Sequence, residues 1–192
     1  MKTSSNGSTA PPTDNMAGSL SITQLRDELV SMPRFERRRV HDAVSRLRST
    51  PEELAPYIQF RREGYTRTRF HEDERFQILV LAWDIGQFSP IHDHNESICS
   101  MHVLSGLCES VSFSQPEVGA PLVREQTMTL PAGATTTVYG GDVHLLGCPK
   151  HSSERLVTLH FYLPPIDRML VFNEHTGQSK EVGSTILDVA AG

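Results

Sequence analysis

The chain has no apolar run long enough to cross a bilayer. A spanning helix needs roughly 20 apolar residues, and the longest run, Ile78 to Trp83, is only strand-sized. The N-terminus lacks the hydrophobic region of a signal peptide, so export by that route is not expected. Cysteine is scarce: Cys99, Cys108 and Cys148 are odd in number and are not spaced as a zinc knuckle. That excludes a disulfide framework and points to a reducing, cytoplasmic setting. Positive charge is not in excess either. With a formal net charge of −5, neither nucleic acid nor a membrane surface is an expected partner. The one basic cluster, Arg34, Arg37, Arg38, Arg39, Arg46 and Arg48, is interrupted by Glu36 and Asp42 and reads as a solvated helix face. The βαβ alternation of a parallel α/β sheet is also missing.

What is present divides into a tail, a helical stretch and many strands. Residues 1 to about 20 are rich in Ser, Thr, Asn, Gly and Pro, and bury too little apolar surface to offset ordering, so a disordered tail is expected. Residues 21–192 are expected to form a single domain, with helices over about 21–60 and a barrel over about 65–192. Ser21 and Gln24 make a capping box for a helix bearing Ile22, Leu25 and Leu29. A second helix after Pro33 carries Val40, Ala43, Val44 and Leu47 at helical spacing. Thr50, Pro51 and Glu53 predict the start of a third, with Leu54, Tyr57 and Ile58 on its inner face. From Tyr65 onward, short β-branched and aromatic runs alternate with turn clusters such as Ser105-Gly106 and Pro131-Ala132-Gly133. They predict strands near 65–70, 76–83, 98–104, 109–113, 122–130, 135–139, 143–146, 156–163 and 169–172, with a last one near 185–189. Such a series indicates a sandwich or barrel.

The chemistry centres on His92-Asp93-His94. Side chains on a strand alternate faces, so these two imidazoles point the same way and can reach one metal ion. An HxH pair alone is a weak signal, and its surroundings supply the rest. Gly86, five residues, His92, one residue, His94, four residues, Cys99, six residues and Gly106 match the spacing of the first cupin motif, with Cys99 where a Glu normally stands. Tyr139-Gly140-Gly141-Asp142-Val143-His144 resembles the second motif. This resemblance implies a mainly β fold, the cupin double-stranded β-helix or jelly-roll barrel, with a short N-terminal helical layer. His92, His94 and His144 then make a metal site without the carboxylate of the common two-His, one-carboxylate iron centre. Three protein ligands leave open positions, as a catalytic site needs.

One family shares that departure. Tyr65-Thr66-Arg67, His92-Asp93-His94, Cys99, His144 and Thr158-Leu159-His160-Phe161-Tyr162-Leu163-Pro164-Pro165 resemble cysteine dioxygenase, and Asp167, Phe172 and Thr176-Gly177 fit the same pattern. The resemblance implies an Fe(II) enzyme that converts L-cysteine and O₂ to cysteine sulfinic acid without an organic cofactor. By position, it makes Arg67 the partner of the substrate carboxylate, aided by Tyr65. It makes Thr158, His160 and Tyr162 a relay beside the substrate, and it implies a thioether cross-link between Cys99 and Tyr162. A cis bond before Pro164 and a monomeric chain are implied as well.

Other readings exist for the same residues. Leu156, Thr158, His160 and Tyr162 share one strand face, which could instead be an exposed polar surface. Cys99 could be a small buried apolar residue, and Arg67 a surface strand residue like Arg69. Mercaptopropionate dioxygenases resemble this fold but carry Gln at the Arg67 position, so Arg67 favours cysteine over 3-mercaptopropionate. A non-catalytic ligand-binding cupin is the rival from another class, and a zinc cupin or metal-dependent isomerase remains open because His ligands do not specify the metal. His41, His71, His151 and His175 read as surface residues, and His102 as a core residue.

Overall fold

A computed structural model describes residues 18–189. The expected disordered tail lies outside the described residues except for its last three, of which Leu20 bridges to Leu47. Helix α1 (Ile22–Ser31) starts at the capping box: the Ser21 hydroxyl accepts from the Gln24 amide, and the Gln24 side chain accepts from the Ser21 amide. It buries Ile22, Leu25 and Leu29, while α2 (Arg37–Ser45) buries Val40, Ala43 and Val44. The third helix does not form. Residues 51–54 are turns followed by one 3₁₀ turn, Ala55–Tyr57. Glu53 does reach back to the Thr50 amide, but Pro56 has no amide proton and disfavours helical geometry at Ala55, so the start leads nowhere.

The strands are β1 (Thr66–Glu72), β2 (Gln77–Trp83), β3 (Ile98–Ser105), β4 (Leu107–Ser114), β5 (Val123–Pro131), β6 (Thr135–Val138), β7 (Val143–Gly147), β8 (Leu156–Leu163), β9 (Arg168–Phe172) and β10 (Ser179–Gly183). They pair in antiparallel fashion as β1-β2-β8-β3-β6, β5-β4-β7 and β10-β9. The strand expected near 185–189 is replaced by β10, six residues earlier at its start. There the chain turns back onto β9, and the later segment adds only a bridge from Leu187 to Thr68.

The central strands β2 and β8 are buried on both faces, which is why β2 reads as a nearly continuous apolar run, whereas β8 carries Thr158 and His160 on its inner face. Ile78, Val80, Val157, Leu159 and Phe161 pack against the helices. Leu79, Leu81, Trp83, Leu156 and Tyr162 face the opposite core. The segment between β2 and β3 bridges to β7 at Phe88–Gly147 and His92–His144, joining the large sheet to the small one. The result is the expected double-stranded β-helix barrel with a short helical layer outside.

Glycine is required where backbone segments meet. Gly106, at φ +82°, makes the turn between β3 and β4, and a Cβ there would lie 2.4 Å from the Arg155 carbonyl oxygen. At Gly140 a Cβ would lie 1.6 Å from the Asn95 carbonyl oxygen, on the segment that receives the His94 amide bond. Gly140→Ala is therefore expected to destabilise the chain by about 1–3 kcal/mol, the scale of a forced backbone shift, read as a fall in the denaturant midpoint.

Candidate active site

The three histidines converge from two directions. His92 and His94 come from the β2–β3 connection and not from a strand as expected, so backbone bonds to β7 and Gly140 and not strand alternation aim them, and His144 comes from β7. The His92 and His144 backbones exchange both hydrogen bonds, at 2.8 and 2.9 Å, and the His94 amide donates to the Gly140 carbonyl at 2.8 Å. Backbone pairing thus sets the ligands before any ion arrives. One ring nitrogen from each residue lies within 4.8 Å of the others, and all three residues are buried.

The donor set fits a metal ion. His92 Nδ1 donates to the Pro90 carbonyl at 2.9 Å, which leaves Nε2 unprotonated. His94 and His144 face each other through Nε2 atoms 3.3 Å apart, close to the spacing of two nitrogens sharing an ion at roughly 2.0–2.1 Å. Burial drives the His92 pKa down to about 4 and those of His94 and His144 well below the usual range. Neutral imidazoles are the form that ligates.

Along the interior face of β8, Thr158, His160 and Tyr162 are all buried, so the exposed-face reading is excluded. The Tyr162 hydroxyl donates to His160 Nδ1 at 3.3 Å, and with that tautomer His160 Nε2–H donates to Thr158 Oγ1 at 3.1 Å. Trp83 Nε1 donates to the same Thr158 oxygen at 3.0 Å. Burial holds the His160 pKa down at about 3 and pushes the Tyr162 phenol up. Both are neutral, and the hydrogen bonds join Tyr162 to Thr158 through His160. Cys99 stands directly opposite Tyr162 across β3 and β8. Its sulfur is 4.0 Å from His160 Nδ1, and burial pushes its thiol up to about 12.

Arg67 projects inward from β1 and is only 7% exposed. Its Nη1 donates to Ser184 Oγ, its guanidinium carbon is 5.7 Å from the Tyr162 ring centre, and its Nη2 is buried with no hydrogen-bond partner. Among the described residues no carboxylate pairs with Arg67, and none is buried. Arg69 differs: it is paired with Glu72 and Asp188 near the surface. Tyr65 stacks on Trp83 with ring centres 4.0 Å apart. Tyr65, Arg67, Trp83, Ser89, His92, His160, Tyr162 and Met169 line one narrow cavity. Tyr65, Arg67 and Met169 also line a wider mouth of about 540 Å³.

A sequence model of the family "Cysteine dioxygenase type I" matches residues 14–175. The chain belongs to the cysteine dioxygenase type I family. It is 29% identical to cysteine dioxygenase type 1 of Rattus norvegicus over 140 residues, covering 71% of this chain and 70% of the rat protein. With the Danio rerio enzyme it shares 27% identity over 155 residues, 76% and 74% of the two chains. An uncharacterized conserved protein with a double-stranded β-helix domain from Klebsiella pneumoniae superposes with a TM-score of 0.48 at 16% identity, over 68% of this chain and 88% of that one. Membership of the cysteine dioxygenase family supports a thiol dioxygenase activity, and the three-histidine group provides a candidate metal site.

Tyr65, Arg67, His92, His94, Cys99, His144, Thr158, His160 and Tyr162 are gathered in this region. His102 is buried and bonded to Thr135. His151 and His175 are exposed, while His41 and His71 are half-buried, bonded to Thr137 and Asp73. Leu163–Pro164 is cis. Among the described residues, no helix is long and apolar enough to cross a membrane. Three contributors escaped the sequence reading. Trp83 was discoverable, since strand parity puts it inward with Leu79 and Leu81. Ser89, which accepts from the Leu146 amide beside His92, and Ser184 carry no local signal.

His144→Ala removes one donor and leaves the other two in place. Its metal affinity is expected to fall at least about 100-fold, the upper end for losing even a ligand's supporting partner, measured as metal content after dialysis against a graded chelator.

Proposed function

We propose that the protein is an Fe(II)-dependent dioxygenase that oxidises L-cysteine with O₂ to cysteine sulfinic acid. The observation that carries this reading is the buried Arg67 cation, which lacks an internal carboxylate and lines the same narrow cavity as His92, one of the three clustered histidines, and His160. An unpaired buried charge is costly. A substrate carboxylate relieves that cost and is held by the guanidinium fork through two parallel bonds.

His92, His94 and His144 would hold the iron, which would supply Lewis acidity toward the thiol and the redox chemistry that activates O₂. The chain's own residues do the rest. Arg67 fixes the carboxylate end and so sets where sulfur lies, which converts an encounter into an oriented reaction. Tyr65 and Trp83 wall the carboxylate side and exclude water. The three ligands being neutral, their charge does not oppose an anionic thiolate. Tyr162, kept protonated and held by His160, presents its oxygen toward the substrate, while Thr158 and Trp83 fix the His160 ring. The thiol sulfur gains both oxygen atoms and gives up four electrons, reaching the sulfinic rung of cysteine oxidation.

Cys99 and Tyr162 form a thioether in this reading. Their facing positions on β3 and β8 support it; the S–H and ring C–H bonds are lost as the C–S bond forms, and the two protons and two electrons released reduce one O₂ to hydrogen peroxide. Both thiols bear a carboxylate, and the preference for cysteine over 3-mercaptopropionate rests on the family pattern, in which mercaptopropionate dioxygenases carry Gln at the position of Arg67. A cytoplasmic, monomeric enzyme within a single domain completes the proposal. The three free cysteines support that compartment.

The decisive measurement is anaerobic reconstitution with Fe(II), followed by L-cysteine, O₂ uptake and sulfinate formation. Uptake matched one-to-one by sulfinate is expected, and a folded, iron-loaded protein that consumes no O₂ refutes the activity. Equal kcat/KM on 3-mercaptopropionate refutes the cysteine preference. After turnover, a tryptic map should show the Cys99 and Tyr162 peptides joined and lighter by two hydrogens. Finding only separate peptides removes the cross-link.

A further inference from the structure

The two terminal nitrogens of Arg67 are in different circumstances. Nη1 donates to Ser184 Oγ, whereas Nη2 is buried and unpartnered. Ser184 belongs to no strand. It follows β10 in a segment whose course is fixed at three points: the Ser184 amide donates to the Asp167 carbonyl at 2.9 Å, the Leu187 amide to the Arg67 carbonyl at 2.8 Å, and the Arg69 amide to the Leu187 carbonyl at 2.8 Å. The same segment therefore grips Arg67 twice, by its backbone through Leu187 and by its guanidinium through Ser184. Gly183, Thr185 and Leu187 continue along the mouth of the cavity.

A guanidinium is planar and rigid, so holding Nη1 fixes the plane and the direction of Nη2. Without that hold, a long side chain with many rotamers is restrained mainly by its contact with the Tyr162 ring. The position of Nη2 relative to the histidines sets the separation between a bound carboxylate and a bound sulfur.

We propose that Ser184 is a positioning residue for substrate selection: through Arg67 it fixes where the carboxylate of a small amino-acid thiol is received. This rests on the reading that Arg67 receives the substrate carboxylate. It adds that the C-terminal segment after β10, and not the barrel alone, decides which thiols are accepted.

The test compares full-length, Fe(II)-loaded wild type with Ser184→Ala, Ser184→Thr and Arg67→Ala. Substrates are L-cysteine and cysteamine, which keeps the thiol and amine but lacks the carboxylate. Calorimetric L-cysteine binding and melting temperature are measured on each protein. In Ser184→Ala the KM for L-cysteine is expected to rise roughly tenfold, the scale of one hydrogen bond to a charged group. The cysteine-to-cysteamine ratio of kcat/KM should fall by a similar factor. Ser184→Thr, which keeps the hydroxyl, should restore most of both, and Arg67→Ala sets the limit. An unchanged ratio and affinity in Ser184→Ala, while Arg67→Ala loses both, overturns the Ser184 assignment alone. Equal losses on both substrates with a lowered melting temperature mean that Ser184 is merely structural, and also overturn it. Unaltered selectivity in Arg67→Ala, or a wild type that binds no L-cysteine, overturns the carboxylate reading and this inference together.

Discussion

The paired backbone bonds between His92 and His144 are the constraint on which the rest of this structure depends. They join the connection after β2 to β7, so one short bridge both links the two sheets and brings the three imidazoles together. The adjoining bond from His94 to Gly140 fixes the second ligand in the same way, and the absence of a Cβ at Gly140 is what allows that approach. The geometry of the site is therefore a property of the barrel's closure. Side-chain packing refines it, as in the bond from His92 Nδ1 to the Pro90 carbonyl that aims the opposite nitrogen inward.

Electrostatics follows from the same enclosure. Burial keeps His92, His94, His144 and His160 neutral and keeps Tyr162 and Cys99 protonated. Arg67 is left as the cation of an interior without carboxylates among the described residues. Such a cavity is built to accept negative charge. Cys99 stands where an acidic ligand would be expected from the cupin motif, and Arg67 has no acidic partner among the described residues.

Much of this was legible in residue order. The Ser21–Gln24 box, the apolar run of β2, and the inward parity of Thr158, His160 and Tyr162 on β8 all follow from local rules, and each is found where those rules put it. The failures were of another kind. The capping residues at Thr50 suggest a helix, but Pro56 ends it after turns and one 3₁₀ turn. The apolar residues near 185–189 suggested a strand, but the segment is tied to β1 by Leu187 and sends Ile186 toward the interior core. Ser89 gave no sign of its place, because a lone serine in a polar stretch is unremarkable until the chain brings it beside His92.

The sequence alone determined the two-residue spacing of His92 and His94, the loss of the carboxylate at Cys99 and the alternation that turns His160 and Tyr162 inward. Covalent spacing fixes the first and strand period the third, each acting over a few residues, while the second rests on the resemblance to the first cupin motif; His92 and His94 themselves lie outside the named strands. Only the tertiary structure decided that His144 meets the other two histidines, that Trp83 buttresses Thr158, and that Ser184 holds Arg67. Those contacts join residues 50, 75 and 117 positions apart. They exist because the sheets close on each other and the C-terminal segment crosses β1, which no local pattern encodes.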